Sequence, residues 1–145
     1  EFRKAIEGYT AELAAQKATD EDIVRLQELL DEMAGATEAL DTFSQADYRF
    51  HHELAVISRN ALILESYNLI ADVFRSAMRD IVKVRGHSQG LNYHQAILDS
   101  IRARDAAKCR SLMTRHIDET YTDMAAQAGE REPCPAAEET KQATP

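Results

Sequence analysis

A chain of 145 residues with 44% hydrophobic content is long enough for one domain with a real core and too short for two of ordinary size. Its formal net charge of −8, with no basic run longer than the Arg3-Lys4 pair, excludes a surface built to track a phosphate backbone. No stretch approaches the ~18 apolar residues of a membrane span, no basic segment leads into an apolar one, and neither Cys109 nor Cys134 sits in a disulfide or zinc-site pattern. A cytoplasmic protein without membrane contact is the expectation.

Phe2, Ile6, Tyr9 and Leu13 recur at three- and four-residue steps and predict a first helix running to about Lys17. Thr19 followed by Asp20, Glu21 and Asp22 places a capping hydroxyl and three acids at the start of a second, whose core face is Ile23, Leu26, Leu30 and Met33 and which Gly35 ends. A third carries Leu40, Phe43, Phe50, Leu54 and Ile57 inward and closes at Ser58-Arg59-Asn60. The fourth, from about Ala61 to Val84, is the longest and most apolar, with Leu62, Leu69, Ile70, Val73, Phe74, Met78 and Ile81 predicting burial on more than one side and a central place. Gly86, Ser88, Gln89 and Gly90 form a loop before a fifth helix bearing Leu91, His94, Leu98 and Ile101. Asp105 caps a sixth, with the stripe Cys109, Leu112, Met113, His116, Thr120 and Met124. From Gly129 the chain turns to Glu, Pro, Ala, Thr and Lys, and residues 129–145 are expected to form a disordered polar tail. No segment shows period-two alternation, so the fold class is all-α, an antiparallel bundle of six helices over residues 1–128, or seven if the segment near Thr37 breaks.

Asp47 and His51 stand one helical turn apart on the inward stripe of the third helix, and His94 and His116 face inward from the last two. Unpartnered buried carboxylates and imidazoles cost several kcal/mol, roughly, so something pairs them. A hydrogen-bonded core cluster and a shared divalent metal both satisfy that requirement. Imidazole and carboxylate suit zinc first, with nickel, manganese and iron as alternatives; three neutral imidazoles and one carboxylate leave a site near +1 that would attract a small carboxylate. His52 and His87 are expected at the rim.

Enzymatic arrangements fit less well. His52-Glu53-Leu54-Ala55-Val56 begins like HExxH but ends in Val, and no Glu lies three residues before any of the five histidines. A Cys109/His116 pair lacks a third group to orient the imidazole. A hydrolytic helical-bundle metalloprotein is the alternative kept, and a dimerisation module with an empty pocket is a third.

The order of these segments resembles the effector-binding FCD domain of the FadR branch of GntR-type bacterial transcription regulators. Phe2-Arg3-Lys4-Ala5-Ile6-Glu7 resembles its opening helix, Asp47-Tyr48-Arg49-Phe50-His51 its D-x-x-F-H signature, and His94 to Ile101 and Met113 to Ile117 its last helices. The resemblance implies a sensor, not an enzyme, that binds a divalent metal through Asp47, His51, His94 and His116. It also implies a small organic-acid or sugar-acid effector, a homodimer, and operator contact only through an N-terminal winged helix-turn-helix domain absent from this chain. Arg3 and Asn60 match residues expected to contact the effector; beside that, Arg3 can pair with a helical Glu and Asn60 can cap the fourth helix. Arg79, one turn from Arg75, is a further candidate carboxylate clamp.

Overall fold

The computed structural model describes residues 2–129, and all its regular elements are helices: α1 (Phe2–Lys17), α2 (Asp20–Gly35), α3 (Leu40–Ile57), α4 (Ala61–Leu69), α5 (Ala71–Arg85), α6 (Ser88–Arg102) and α7 (Ala106–Gly129). The expected tail disorder lies outside the described residues.

The described residues form seven helices, but the extra break does not fall near Thr37. Ile70, at φ −104° and ψ 13°, divides the expected long fourth helix into α4 and α5. Nor is that segment central. Leu62, Leu69 and Val73 are 81%, 87% and 73% exposed, while Ile63, Tyr67, Phe74, Met78 and Val82 are buried and Ile70 and Ile81 are partly so. Residues 61–70 are largely apolar and give little periodic signal for which side meets the core, so only their neighbours could decide, whereas 71–85 are amphipathic and bury the stripe of Phe74, Met78 and Val82.

The central element is α3. One face, with Phe43, Ala46, Phe50, Leu54 and Ile57, joins the main core with α1, α2, α6 and α7. The other, through Tyr48 and Ala55, meets a second cluster holding Leu13, Ile63, Tyr67, Phe74 and Met78. Asp47 and His51 therefore sit on a helix covered from both sides.

The face α1 buries also differs from the one its apolar residues mark. Phe2 and Tyr9 are exposed, whereas Arg3, Glu7, Thr10, Ala11 and Ala14 are buried. Small side chains bring α1 close to α7: a Cβ at Gly8 would stand 2.6 Å from Thr114 Oγ1. That closeness carries Arg3 and Glu7 into the interior.

The start of α2 is closed reciprocally, Asp22 N–H donating to Thr19 Oγ1 at 3.2 Å and Thr19 N–H to Asp22 Oδ2 at 3.0 Å. Asp22 is fully buried and also accepts from Arg25 at 2.9 Å and from Arg59 at 2.7 Å. Burial opposes its ionisation, but the Thr19 amide and the two guanidiniums outweigh that and hold the carboxyl below its ordinary 3.8. A lowered folded pKa adds stability above the unfolded value and loses it as pH falls through the folded one. Asp22→Asn should therefore cost about 1–2 kcal/mol in urea unfolding at neutral pH, with the gap from wild type closing below pH 3.8.

Candidate metal centre

His51 from α3, His94 from α6 and His116 from α7 converge, with one ring nitrogen of each within 4.8 Å of the others. All three are buried. His94 Nε2 lies 3.2 Å from His51 Nε2, and Asp47 Oδ1 lies 3.3 Å from the former and 3.8 Å from the latter. Phe50 flanks His94 at 4.7 Å between ring centroids and Tyr93 flanks His116 at 5.2 Å. The four residues chosen by periodicity thus meet at one place, with Asp47 against two of the imidazoles.

Two residues that periodicity did not mark complete the surroundings of His51. Glu7 Oε2 lies 2.6 Å from His51 Nδ1, somewhat off the ideal hydrogen-bond line. Arg3 Nε donates to Glu7 Oε1 at 2.6 Å and Arg3 Nη2 to Oε2 at 3.4 Å. The same Nη2 approaches His51 Nε2 at 3.5 Å, and the guanidinium stands over Phe74 with 5.3 Å to the ring centroid. Glu7 lay hidden because it occupies the polar side of an apparently amphipathic helix; its i, i+4 spacing from Arg3 was the available signal.

The electrostatics suit a cation. Burial opposes ionisation of Glu7, yet Arg3 and His51 overcome it and hold its carboxyl down to about 2. Burial, reinforced by His51, pushes His94 well below its ordinary value; burial, with His94 and His51, does the same to His116. Both imidazoles are therefore neutral, the form that ligates metal. Burial raises the Asp47 carboxyl, with His51 and Arg3 opposing, so a nearby positive charge would favour its anion.

The donor set fits a divalent ion. With Glu7 at Nδ1, the proton of His51 is assigned to that nitrogen, leaving the Nε2 lone pair facing His94. Two nitrogens each ~2.0–2.1 Å from a tetrahedral zinc stand roughly 3.3 Å apart, and the His51–His94 separation is 3.2 Å. Carboxylate–imidazole support of the Glu7–His51 kind is what orients metal-bound histidines. His116 Nδ1 is buried without a hydrogen-bond partner among the described residues, so its lone pair is available to an ion.

The remaining candidates go elsewhere. Asn60 Oδ1 accepts from Leu62 N–H at 3.1 Å and Ile63 N–H at 3.3 Å, capping α4, and it does not line the cavity beside the imidazoles. Arg79 is on the solvent face, 2.9 Å from Asp41. At the rim, His52 Nε2 lies 3.0 Å from Asn68 Oδ1 and His87 packs its ring on Phe43. Cys109 is buried in the core with its thiol pushed up to about 12, chiefly by burial, which removes it as a nucleophile. The cavity beside the cluster measures about 20 Å³ and is lined by Arg3, Asp47, Val82, Arg85 and His116 among others. Arg85 entered no expectation because it sits at the end of a segment read as buried and apolar.

Comparison with known proteins supplies a second line of observation. A family model described as the FCD domain matches residues 1–119. The putative L-lactate dehydrogenase operon regulatory protein of Escherichia coli K12 is 36% identical over 129 residues, covering 86% of this chain and 49% of that protein. The HTH-type transcriptional regulator LutR of Bacillus subtilis 168 is 29% identical over 123 residues, covering 81% of this chain and 56% of that protein. Among solved structures, Streptococcus agalactiae GntR aligns with a TM-score of 0.66 at 24% identity, over 88% of this chain and 55% of that one, a likeness of fold. The chain spans about half the length of the curated relatives it matches. No helix among the described residues is long and apolar enough to cross a membrane.

Proposed function

The chain belongs to the FCD domain family, and on that premise we propose that it is the metal-dependent, effector-binding and dimerisation domain of a cytoplasmic GntR/FadR-type transcription regulator. The observation that carries the reading is the convergence of three buried imidazoles within 4.8 Å beside Asp47, with Glu7 behind one of them.

His51, His94, His116 and Asp47 would hold the ion, zinc first and nickel, manganese or iron as alternatives. The ion supplies a positive centre able to accept an effector oxygen. The protein does the rest: Glu7 keeps the His51 lone pair on the centre, Arg3 neutralises Glu7, and Phe50 and Phe74 exclude water. The effector class is a small organic acid or sugar acid. The relative named as a putative L-lactate dehydrogenase operon regulatory protein supports that class. Contact with an operator belongs to a DNA-binding domain outside this chain, in keeping with its net charge of −8. The exposed Leu62, Leu69 and Val73 offer a homodimer apolar surface. Effector occupancy would alter helix packing around the cluster and so bias one of two arrangements of the dimer.

The relatives named are regulators, so the domain is read as a sensor and not an enzyme. The relatives named do not favour the hydrolytic alternative, and the HExxH-like residues stand away from the cluster, Glu53 pairing with Arg25 at 3.2 Å and His52 with Asn68.

The test is elemental analysis of purified protein together with a thermal-shift panel of carboxylates. About one divalent ion per chain, a melting temperature lowered by a chelator, and a further rise with a hydroxy or sugar acid are expected, all lost in His116→Ala. Metal content far below one per chain with no response to chelator or added metal would sink the reading.

A further inference from the structure

Among the described residues, one guanidinium nitrogen of a residue lining the cavity beside the imidazoles has no acceptor. The Arg85 side chain is only 5% exposed, at the C-terminal end of α5. Its Nη1 donates to Thr120 Oγ1 and its Nε lies 2.7 Å from Asp123 Oδ2, both on α7. Its Nη2 is buried without a hydrogen-bond partner, and the residue lines the same cavity as Arg3, Asp47 and His116. A buried guanidinium nitrogen with no acceptor is costly, which marks a place where an acceptor belongs. Arg3, the other guanidinium there, already directs Nε and Nη2 at Glu7.

We propose that Arg85 is the effector's protein anchor: an oxygen of a small carboxylate, whose other oxygen faces the metal centre, accepts from Arg85 Nη2. The inference rests on the metal-dependent sensor reading above. Asp123 is the competing anion. Its side chain is 45% exposed, so it can return to water when the effector takes over the guanidinium. The cavity of about 20 Å³ holds roughly one water. A carboxylate therefore enters only if the corner formed by Arg85 and Gly86, which has φ +72°, shifts outward. Because Arg85 grips α7 through Thr120 and Asp123, that shift reaches α7 directly. A short hydroxy acid fits better than a bulky sugar acid.

The experiment is calorimetric titration of the zinc-loaded chain with acetate, glycolate, L-lactate and D-galactonate, with lactamide as the uncharged control. Wild type should bind a short hydroxy acid and not lactamide. Arg85→Gln should weaken that binding about 10- to 100-fold, the range for one hydrogen bond to a charged group, while zinc affinity by chelator competition is not reduced; Arg85→Lys should recover part of the loss. Asp123→Asn separates anchoring from a merely structural strut: freeing the guanidinium should leave acid binding equal or tighter. Acid binding by Arg85→Gln at wild-type strength, or an Asp123→Asn loss matching that of Arg85→Gln, overturns the assignment and spares the sensor reading. Zinc-loaded wild type that binds none of the acids overturns both.

Discussion

Replacing His51 with alanine should reduce metal affinity by more than the 10- to 100-fold typical of changes behind a ligand, because it deletes the imidazole that touches every other part of the centre. His51 lies 3.2 Å from His94 Nε2, 2.6 Å from Glu7 and 3.8 Å from Asp47. The metal-free protein should also lose about 2–4 kcal/mol, since the truncation empties a fully buried volume and leaves Glu7 one partner fewer. The melting temperature should then no longer rise with added metal. His52→Ala, one residue along but half-buried against Asn68 and Tyr48, is the control and should keep both metal uptake and the metal-dependent rise. Wild-type metal affinity in His51→Ala would move the centre elsewhere.

The second large effect is expected at Glu7, which hydrophobic periodicity did not mark. Glu7→Ala should destabilise the metal-free domain by about 3–5 kcal/mol, the cost of stripping one partner from a buried ion pair, because Arg3 and the His51 Nδ1 proton would both remain inside without an acceptor. Metal affinity should fall about 10- to 100-fold as the orientation of His51 is lost. The double change Arg3→Met with Glu7→Leu divides these roles. Removing both charges with similar volume should restore much of the stability, while metal affinity stays low. Recovery of both together would mean that the pair serves only packing.

Single-chain periodicity reached far at this centre and stopped at a definable point. Asp47, His51, His94 and His116 were legible because each breaks an otherwise apolar stripe, and helical spacing settles which side of its own helix a residue occupies. Glu7 and Arg85 were not, since a polar residue on a helix's polar side gives the same letters whether solvent or another helix covers it. Asn60 shows the converse. Its place after α3 made it a candidate contact by resemblance, but its side chain closes two amides at the start of α4, a local task that its position serves equally well.

The all-α class, the caps at Thr19 and Asp105 and the inward direction of the four candidate ligands follow from the sequence by itself, because propensity, capping chemistry and a 3.6-residue period act within about one turn, although Ser88, Gln89 and Gly90, expected in a loop, open α6. Tertiary structure alone decided the break at Ile70, the exposure of Leu62, Leu69 and Val73, the centrality of α3, and the close approach of α1 to α7 at Gly8. That approach carries Arg3 and Glu7 into the core, and the end of α5 brings Arg85 to the cavity beside them. These outcomes depend on which faces of different helices meet, and the meeting of faces is an energy of contacts between distant residues that no local pattern contains.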